Sequence, residues 1–494
     1  MNGPPAPTPR AARATGRRPD GTHETDTTSV PAQAPRSDRA APPIPREPDG
    51  RHARTVLAVA SAGFFLITLD ISIVNVALAS ITTELGGGTA GQQWVIDGYT
   101  LLFAALLLSA GNLADRVGAK KAFLLGVVAF AIASAGCAAA PGIGALVAAR
   151  CVQGAAAAVM LPASMALVRE AFPDPRRRAS ALGVWAVGGA VAGLVGQPLG
   201  GLLTTLDWRW VFTMNLPVCA AMVLLLLAVA ASPTRPAPFD WPGQVLAVVA
   251  LGALVFGLIE GGHAGFTRAA VVAALVVAVL GLAAFLRVQA RSRHPMMPLE
   301  LFRSHGFRLA LPVGFAFMVG NYGNVFVISL YLQQQLGLAP LHAGLVFLPS
   351  AAFAVAGNLG SGPLTNRFGP RLPVVTGLLL MVVGLVGLLL SSGAAGPVVT
   401  ALCLVPIGLG GSLAMPAATG VVLEGVPADR AGTASAVFNT FRQVGGAVAI
   451  AVFGALVAGP AFVTGLRTSL GAAAVLLLAA ALSSLRIRRT RAPR

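Results

Sequence analysis

The stretch ITLDISIVNVAL, residues 67–78, places one carboxylate, Asp70, inside an apolar run that extends from about Thr55 to Ile81. A run of about 20 apolar residues is long enough to cross a bilayer as a helix. A charged side chain at the bilayer centre costs about 2.5–3.5 kcal/mol on insertion scales, so intramembrane charges are rare and point to function. The sequence therefore predicts a transmembrane helix with an ionisable residue near its middle.

The composition extends this prediction to most of the chain. Of its 494 residues, 55% are hydrophobic and 11% are charged, and the mean hydropathy is +0.77. A soluble protein carries about 25% charged residues, so a soluble fold is excluded. The apolar runs predict an all-α integral membrane protein with fourteen transmembrane helices, near residues 55–81, 93–113, 122–140, 143–168, 179–203, 211–231, 243–262, 268–287, 309–334, 341–361, 372–391, 397–423, 432–458 and 466–486.

The positive charge follows the membrane topology. The net charge is +17, but the arginines and lysines cluster in alternate loops and in the two tails, whereas the intervening loops hold only Arg209, Arg268 and Arg467. Basic residues concentrate in cytoplasmic loops, so both termini are expected in the cytoplasm. This distribution indicates a multi-pass membrane protein and argues against nucleic-acid binding. The Ala/Gly bias, with only two lysines among the 35 basic residues, indicates a bacterial source and hence a bacterial cell membrane.

The ends of the chain differ in composition from the apolar spans. Residues 1–54 hold almost no large apolar side chain and predict a disordered cytoplasmic tail, and no cleaved signal peptide is expected. Residues 487–494 form a basic cytoplasmic tail. The sequence has no phosphate loop, nucleophile motif or metal-ligand spacing, so it predicts neither an enzyme nor a metal or other cofactor.

A short motif occurs twice. GNLADRVGAKK (111–121) follows the second span, and GPLTNRFGPR (362–371) follows the tenth, with a shared Gly-x-Leu-x-(Asp/Asn)-Arg-x-Gly frame. Repeated halves with a binding site between them are typical of transporters. The glycines suit a tight cytoplasmic turn, and Asp115 can receive a helix end or an arginine across a helix interface. A generic charged turn is the alternative to an internal repeat. Asn366 replaces the aspartate in the second copy.

With these motifs the chain resembles the major facilitator superfamily, and within it the 14-span drug:proton antiporter family. The supporting stretches are LDISIVNVAL (69–78), ARCVQGAAAA (149–158), GLVGQPLGG (193–201), WRWVFTMNLP (208–217), HPMMPLELF (294–302), GLVFLPSAA (344–352) and NTFRQVGGA (439–447). WVIDGY (94–99) and GLIEGG (257–262) look most like antibiotic exporters of the methylenomycin A resistance type.

The resemblance implies two six-helix bundles plus two extra helices. The N-terminal bundle would span residues 55–231, the linker and extra helices 232–290, and the C-terminal bundle 291–486. It also implies a gating role for the turn motif at Gly111, Asp115, Arg116 and Gly118. In the fifth span it implies an antiporter motif, at Gly193, Gly196, Pro198, Gly200 and Gly201. The family's Gly-Pro pair is here Gly196-Gln197, with the proline displaced to Pro198, and a purely structural role of the glycines in close helix packing stays open.

Two intramembrane charges are the candidates for proton coupling. Asp70 and Arg150 lie at compatible depths on spans 1 and 4, so they are expected to pair. Burial favours the protonated form of a carboxylate, and a nearby arginine favours the ionised form, so movement between the two can switch protonation. A structural ion pair is the alternative. Asp97 and Glu260 are expected to be solvated near the outer ends of their helices.

The candidate substrate cavity comprises polar and aromatic residues near the bilayer midplane: Phe64, Asn75, Gln153, Gln197, Asn321, Tyr322, Asn324, Tyr331 and Arg442. Gln153 is also a candidate support for Arg150. The leading interpretation is export, by a monomer, of a hydrophobic neutral or monocationic drug or antibiotic against proton entry. Proton-coupled uptake of a small solute is the alternative.

Overall fold

The computed structural model describes Gly3 and residues 50–234, 239–393, 396–424, 426–427, 430–459 and 461–487. The described part contains fourteen helical spans that are long and apolar enough to cross a membrane, which confirms the predicted number. They are α1 Gly50–Leu85, α2 Gly88–Val117, α3 Ala119–Ala138, α4 Ile143–Ala171, α5 Pro175–Leu206, α6 Trp210–Leu227, α7 Trp241–Ala264, α8 Ala269–Arg291, α9 His305–Gln335, α10 Pro340–Phe368, α11 Arg371–Ser391, α12 Pro397–Glu424, α13 Ala431–Val457 and α14 Phe462–Ser484.

The helix bounds refine the predicted spans. Residues 50–54, which the sequence assigns to the disordered tail, form the first turns of α1. The predicted disorder of residues 1–49 lies outside the described residues apart from Gly3, and so does the predicted basic tail apart from Ile487. The end of the molecule at which α1 begins is the predicted cytoplasmic side. We call it the inner side, and the opposite end the outer side.

The helices pack in two groups. Helices α1 to α6 contact one another through the pairs α1–α5, α2–α4 and α3–α4, and helices α9 to α14 do so through α10–α12, α11–α12 and α9–α13. The two groups meet mainly along α2–α13 and α5–α10. The pair α7 and α8 lies beside this arrangement, and α7 packs against both α2 and α13. These contacts describe an all-helical membrane fold in which two groups of six helices meet along a central interface.

The repeated motif has the same backbone geometry in both copies. Gly118 ends α2 with φ +88°, and Gly369 ends α10 with φ +81°. This left-handed region favours glycine because other residues meet steric resistance there. Gly118 is also crowded, since an added Cβ would lie 3.0 Å from the backbone oxygen of Ser232. The glycines of the two motif copies therefore end two corresponding helices in the same way.

Helix α9 departs from regular α-helix twice. Val319–Gly323 and Tyr331–Gln335 are π-helical turns, with α-helix between them at Asn324–Leu330. Each π turn inserts a residue into the helical repeat and so changes which side chains face inward, and such turns occur often at functional sites. The first of them carries Asn321 and Tyr322.

Candidate proton-coupling site and central pocket

Asp70 and Arg150 form an ion pair inside the N-terminal group of helices. The Arg150 Nη1 atom lies 2.5 Å from the Asp70 Oδ2 atom, and the exposed fractions of the two side chains are 1% and 0%. Helix α1 carries the carboxylate and α4 carries the guanidinium, so the contact joins two helices that also pack directly on each other. The pairing expected from the depths of the two residues is present.

Amide and hydroxyl groups complete the shell of the carboxylate. Gln153 Nε2 and Asn215 Nδ2 each donate to Asp70 Oδ1 at 3.0 Å. The same two amides contact Ser134 Oγ, at 2.8 Å and 3.3 Å respectively. All of these side chains are buried. Asp70 is therefore held by one cation and two neutral donors, contributed by α4 and α6.

The guanidinium of Arg150 has further partners. Its Nε donates to the backbone oxygen of Val95 at 3.0 Å, and its Nη1 donates to Gln153 Oε1 at 2.7 Å. The ring of Tyr99 stacks on it, with 4.4 Å between the ring centroid and Arg150 Cζ. A buried charge is tolerated when it is paired and hydrogen-bonded. The described conformation thus encloses the Asp70 carboxylate in a network in which both of its oxygens have partners.

Sequence reasoning missed two members of this network. Asn215 falls within the WRWVFTMNLP stretch, and Ser134 lies in the apolar part of α3 that follows its two lysines. Both are polar residues in apolar spans, which was the available signal. The sequence does not predict how α3 and α6 are rotated about their axes, and this rotation turns the two side chains toward α1.

A small pocket lies next to the network, between the two groups of helices. Its volume is about 60 Å³, and its lining residues come from α1, α2, α5, α9 and α13: Ile71, Ser72, Asn75, Ile96, Gln197, Asn321, Tyr322, Val325 and Ile450. Four of the predicted cavity residues, Asn75, Gln197, Asn321 and Tyr322, therefore line one pocket. Since Ile71 directly follows Asp70, the carboxylate and the pocket wall are carried by the same turn of α1.

The other predicted cavity residues lie elsewhere. Gln153 belongs to the Asp70 network, and Phe64 stacks on Trp185 with 4.0 Å between ring centroids. Asn324 and Tyr331 are buried, with exposed fractions of 2% and 3%, and do not line the pocket. Arg442 lies on α13 beside aromatic rings of α9 and α13.

The glycines of the fifth span bring α5 close to its neighbours. An added Cβ would lie 2.6 Å from Ser72 Cβ at Gly196 and 2.5 Å from the Ile73 backbone oxygen at Gly200, so both glycines pack on α1. At Gly201 the neighbour is the Pro340 backbone oxygen of α10, also at 2.5 Å. Gly193 has no neighbour within 4 Å. Three of the four motif glycines thus serve close packing, and α5 remains helical through Pro198.

The expectation that Asp97 is solvated was wrong. Its exposed fraction is 0%, its Oδ1 accepts a hydrogen bond from Thr100 Oγ1 at 3.2 Å, and its Oδ2 has no partner among the described residues. Helices α4, α7 and α13 all pack against α2 and bury residues near its outer end. Glu260 is partly buried and lies 3.5 Å from Trp94 Nε1.

Polar contacts join α2, α7 and α13 near the outer side. Gln93 Nε2 donates to the backbone oxygens of Ile450 and Ala451, at 3.0 Å and 2.7 Å, and Gln93 Oε1 lies 3.1 Å from His263 Nε2. Gly454 leaves room for this amide, since an added Cβ would lie 2.3 Å from Gln93 Cδ. We call this group of contacts the outer seam. It ties both groups of helices and the first extra helix together.

The predicted gating motif lies at the inner end of α2. Asp115 and Arg116 are exposed, and no ion pair of Asp115 occurs within the described ranges. Following Gly118, the backbone nitrogen of Lys120 donates to Ser232 Oγ at 3.0 Å. The turn is therefore anchored to the segment that follows α6, where the Lys120 ammonium also donates to the Val229 backbone oxygen, while Asp115 and Arg116 stay exposed. Gly111 has open space around it.

Comparisons with known proteins agree with this architecture. A family model for the Major Facilitator Superfamily matches residues 60–450. The multidrug resistance protein Stp of Mycobacterium tuberculosis is 38% identical over 406 residues, which cover 81% of this chain and 75% of that protein. The methylenomycin A resistance protein of Streptomyces coelicolor is 35% identical over 396 residues, covering 80% and 83%. The tetracenomycin C resistance and export protein of Streptomyces glaucescens is 35% identical over 419 residues, covering 83% and 76%.

Solved structures share the fold at lower identity. The crystal structure of a POT family transporter in complex with 5-aminolevulinic acid aligns with a TM-score of 0.68 at 14% identity, over 90% of this chain and 98% of that chain. The crystal structure of a D-xylose-proton symporter aligns with a TM-score of 0.64 at 13% identity, over 88% and 98%. At this identity the likeness concerns the fold alone. The matched family and the 35–38% identical relatives identify a multi-pass membrane transporter related to drug efflux pumps, not an enzyme. This chain belongs to the major facilitator superfamily.

Proposed function

We propose that the protein is a proton-coupled antiporter that exports hydrophobic drugs or antibiotics from a bacterial cell by alternating access. The observation that carries this proposal is the position of Asp70. It is a buried carboxylate, it is held by a cation that can compete with a proton, and it lies on the same turn of α1 as the wall of the central pocket. The drug efflux and antibiotic resistance relatives support export as the direction.

In the proposed cycle, Asp70 exchanges Arg150 for a proton. When the network opens, the carboxylate loses its cation and takes up a proton, because an uncompensated charge is costly inside the membrane. Reforming the ion pair expels the proton. Rearrangement of α1 and α4 in this step would move Ile71 and Ser72, and with them the wall of the pocket. Drug occupancy and protonation then exclude each other.

The driving force is adequate for export. A proton entering down a membrane potential of 100 mV releases about 2.3 kcal/mol. Since about 1.4 kcal/mol corresponds to a factor of ten, one proton per neutral drug supports a concentration ratio of about 50. The outer seam and the contacts of Gly201 with α10 close the outer side in the described conformation. In the proposed cycle the pocket would be loaded from the inner side.

The charge of the substrate follows from the same network. The sequence predicts a neutral or monocationic compound. Asp70 is already neutralised by Arg150, and no residue that lines the pocket within the described chain is a carboxylate. A cationic drug would therefore find no free counter-charge until the network opens, so we propose neutral compounds ahead of monocations.

Everted membrane vesicles test this proposal. Vesicles from an efflux-deficient bacterial host that expresses the protein are energised to acidify their interior, and a panel of antibiotics and dyes is added. An antiporter releases protons as the drug enters, so the acid interior is dissipated by compounds to which the protein confers resistance. Vesicles without the protein are the control. An uptake symporter would leave the acid interior intact on drug addition, and that result would overturn the proposal.

A further inference from the structure

The second mid-span arginine, Arg442, differs from Arg150 in having no carboxylate partner among the residues that the structure describes. Its Nη1 donates to Asn439 Oδ1 at 3.0 Å, and its Nε is buried without a hydrogen-bond acceptor. The ion pairs recorded among the described residues do not involve it. The residue as a whole is partly buried, and a charge inside a membrane span is normally paired because desolvation without compensation is costly. Arg442 is thus an uncompensated cation inside the membrane span.

The remaining surroundings of Arg442 are apolar. Its Cζ lies 5.7 Å from the ring centroid of Phe317 and 5.9 Å from that of Phe438. Its stem passes over Gly314, where an added Cβ would lie 2.9 Å from Arg442 Cγ. Helix α9 therefore leaves space for the side chain at a glycine and flanks the guanidinium with an aromatic ring. These neighbours position the guanidinium but supply no counter-charge.

Arg442 belongs to the face of α13 that borders the central pocket. Residues four apart on a helix share one face, so Arg442, Gly446 and Ile450 form one stripe. Ile450 lines the pocket, and an added Cβ at Gly446 would lie 2.8 Å from the ring of Tyr322, which also lines it. Eight residues of helix correspond to about 12 Å. The guanidinium therefore lies on the pocket's side of α13, about 12 Å nearer the inner end than Ile450.

We infer that Arg442 binds an anionic group of the transported compound, with a carboxylate as the expected chemistry. An arginine offers a planar pair of donors that matches a carboxylate, and such charge-assisted pairs are stronger than neutral hydrogen bonds. The apolar body of the compound would extend outward past Tyr322 into the pocket. Because Asp70 is neutralised by Arg150, the charge that this wall presents is positive. This inference rests on the proposed export function and adds hydrophobic weak acids, which carry a carboxylate, to the neutral compounds proposed from the Asp70 network.

A binding experiment with matched probes tests the inference separately from transport. The purified full-length protein in lipid nanodiscs is titrated with pyrenebutyrate and with its uncharged methyl ester, and binding is followed by pyrene fluorescence. Arg442→Gln is expected to weaken pyrenebutyrate binding by about 10- to 100-fold, because one charge-assisted pair is lost. Binding of the ester should stay within about twofold. Arg268→Gln, at an exposed arginine of the outer side, is the matched control and should change neither affinity.

Two results would overturn the inference. Pyrenebutyrate affinity that is unchanged in Arg442→Gln removes the anion site, and an equal loss for acid and ester shows a packing role instead. If Arg442→Gln does not fold, Arg442→Lys provides the test, since it keeps the charge but loses the paired donors. The ratio of pyrenebutyrate affinity to ester affinity should then be at least threefold lower in Arg442→Lys than in the wild type. An unchanged ratio contradicts the inference. Absence of proton-coupled export in vesicles would refute the proposed function but leave these affinities interpretable.

Discussion

Replacing Arg150 with methionine removes the one cation that contacts Asp70 in the described part of the chain. The carboxylate would keep its amide donors, Gln153 and Asn215, both at 3.0 Å, but would lose the 2.5 Å contact with the guanidinium. Removing one partner of a buried ion pair costs about 3–5 kcal/mol, because the other charge is left uncompensated. Asp70→Asn has a similar expected cost, since it leaves Arg150 with only neutral acceptors, the Val95 backbone oxygen and Gln153 Oε1.

The double variant Asp70→Asn/Arg150→Met separates these effects. If the two side chains acted independently, their costs would add to about 6–10 kcal/mol. Because the double variant contains neither charge, and apolar replacement of a buried pair is often close to neutral, it is expected to be at least as stable as either single variant. It should still fail to couple drug export to protons, since the site then holds no carboxylate.

The free energy of unfolding is measured by transferring the protein from dodecylmaltoside into mixtures with SDS and following tryptophan fluorescence. The wild type, both single variants and the double variant form the complete cycle. Proton release in everted vesicles is measured on the same four proteins. A double variant whose stability loss equals the sum of the single losses would refute the ion pair as the source of the stabilisation.

Three further predictions concern other parts of the molecule. Gln93→Leu removes the hydrogen bonds of the outer seam and should widen the distance between spin labels on the outer ends of α2 and α13. Gln92→Leu is the control, because the Gln92 amide donates to Thr82 within the N-terminal group, and it should leave that distance unchanged. Gly200→Ala should lower the unfolding free energy by about 1–3 kcal/mol, because the added Cβ would meet the α1 backbone. Gly193→Ala should be neutral, because Gly193 has no neighbour within 4 Å. Equal effects of the two variants would contradict the packing role of Gly200. Arg430 hydrogen-bonds to Glu300 in the loop before α9 and lowers the pKa of that carboxyl below its usual value. The contact is therefore present at neutral pH and is lost only as the pH falls through the lowered value. The difference in unfolding free energy between wild type and Glu300→Gln should thus be constant from pH 6 to 8 and shrink below about pH 4.5.

The sequence predicted the fold because membrane spans are set by local properties. Length and hydropathy of each run are enough to place a helix in a bilayer. All fourteen spans were found, thirteen of them within five residues of their observed bounds, and the tenth ends seven residues too early. The ion pair could also be predicted from the sequence. Asp70 is the only carboxylate squarely in mid-span, Arg150 lies at a compatible depth, and a charge inside the membrane requires an opposite charge beside it. In both cases the lipid environment leaves few alternatives.

Features that depend on side-to-side packing were not predictable in this way. Depth along α2 places Asp97 near an end of the helix, but its burial depends on α4, α7 and α13 covering that end. The π turns of α9, which orient Asn321 and Tyr322 toward the pocket, have no hydropathy signature. The contact of Asn215 with Asp70 depends on how α6 rotates against α1. Hydropathy reports whether a helix is in the membrane, not which neighbours surround each face.

Drug-induced proton release by the purified protein is the most direct test of the central role given to Asp70. The protein is placed in weakly buffered detergent solution, a compound to which it confers resistance is added, and the pH change is recorded for the wild type and for Asp70→Asn at equal drug occupancy. Wild-type protein is expected to release protons on binding, and the variant is expected to bind the drug without any release. Equal proton release by the two proteins would show that another group exchanges the proton.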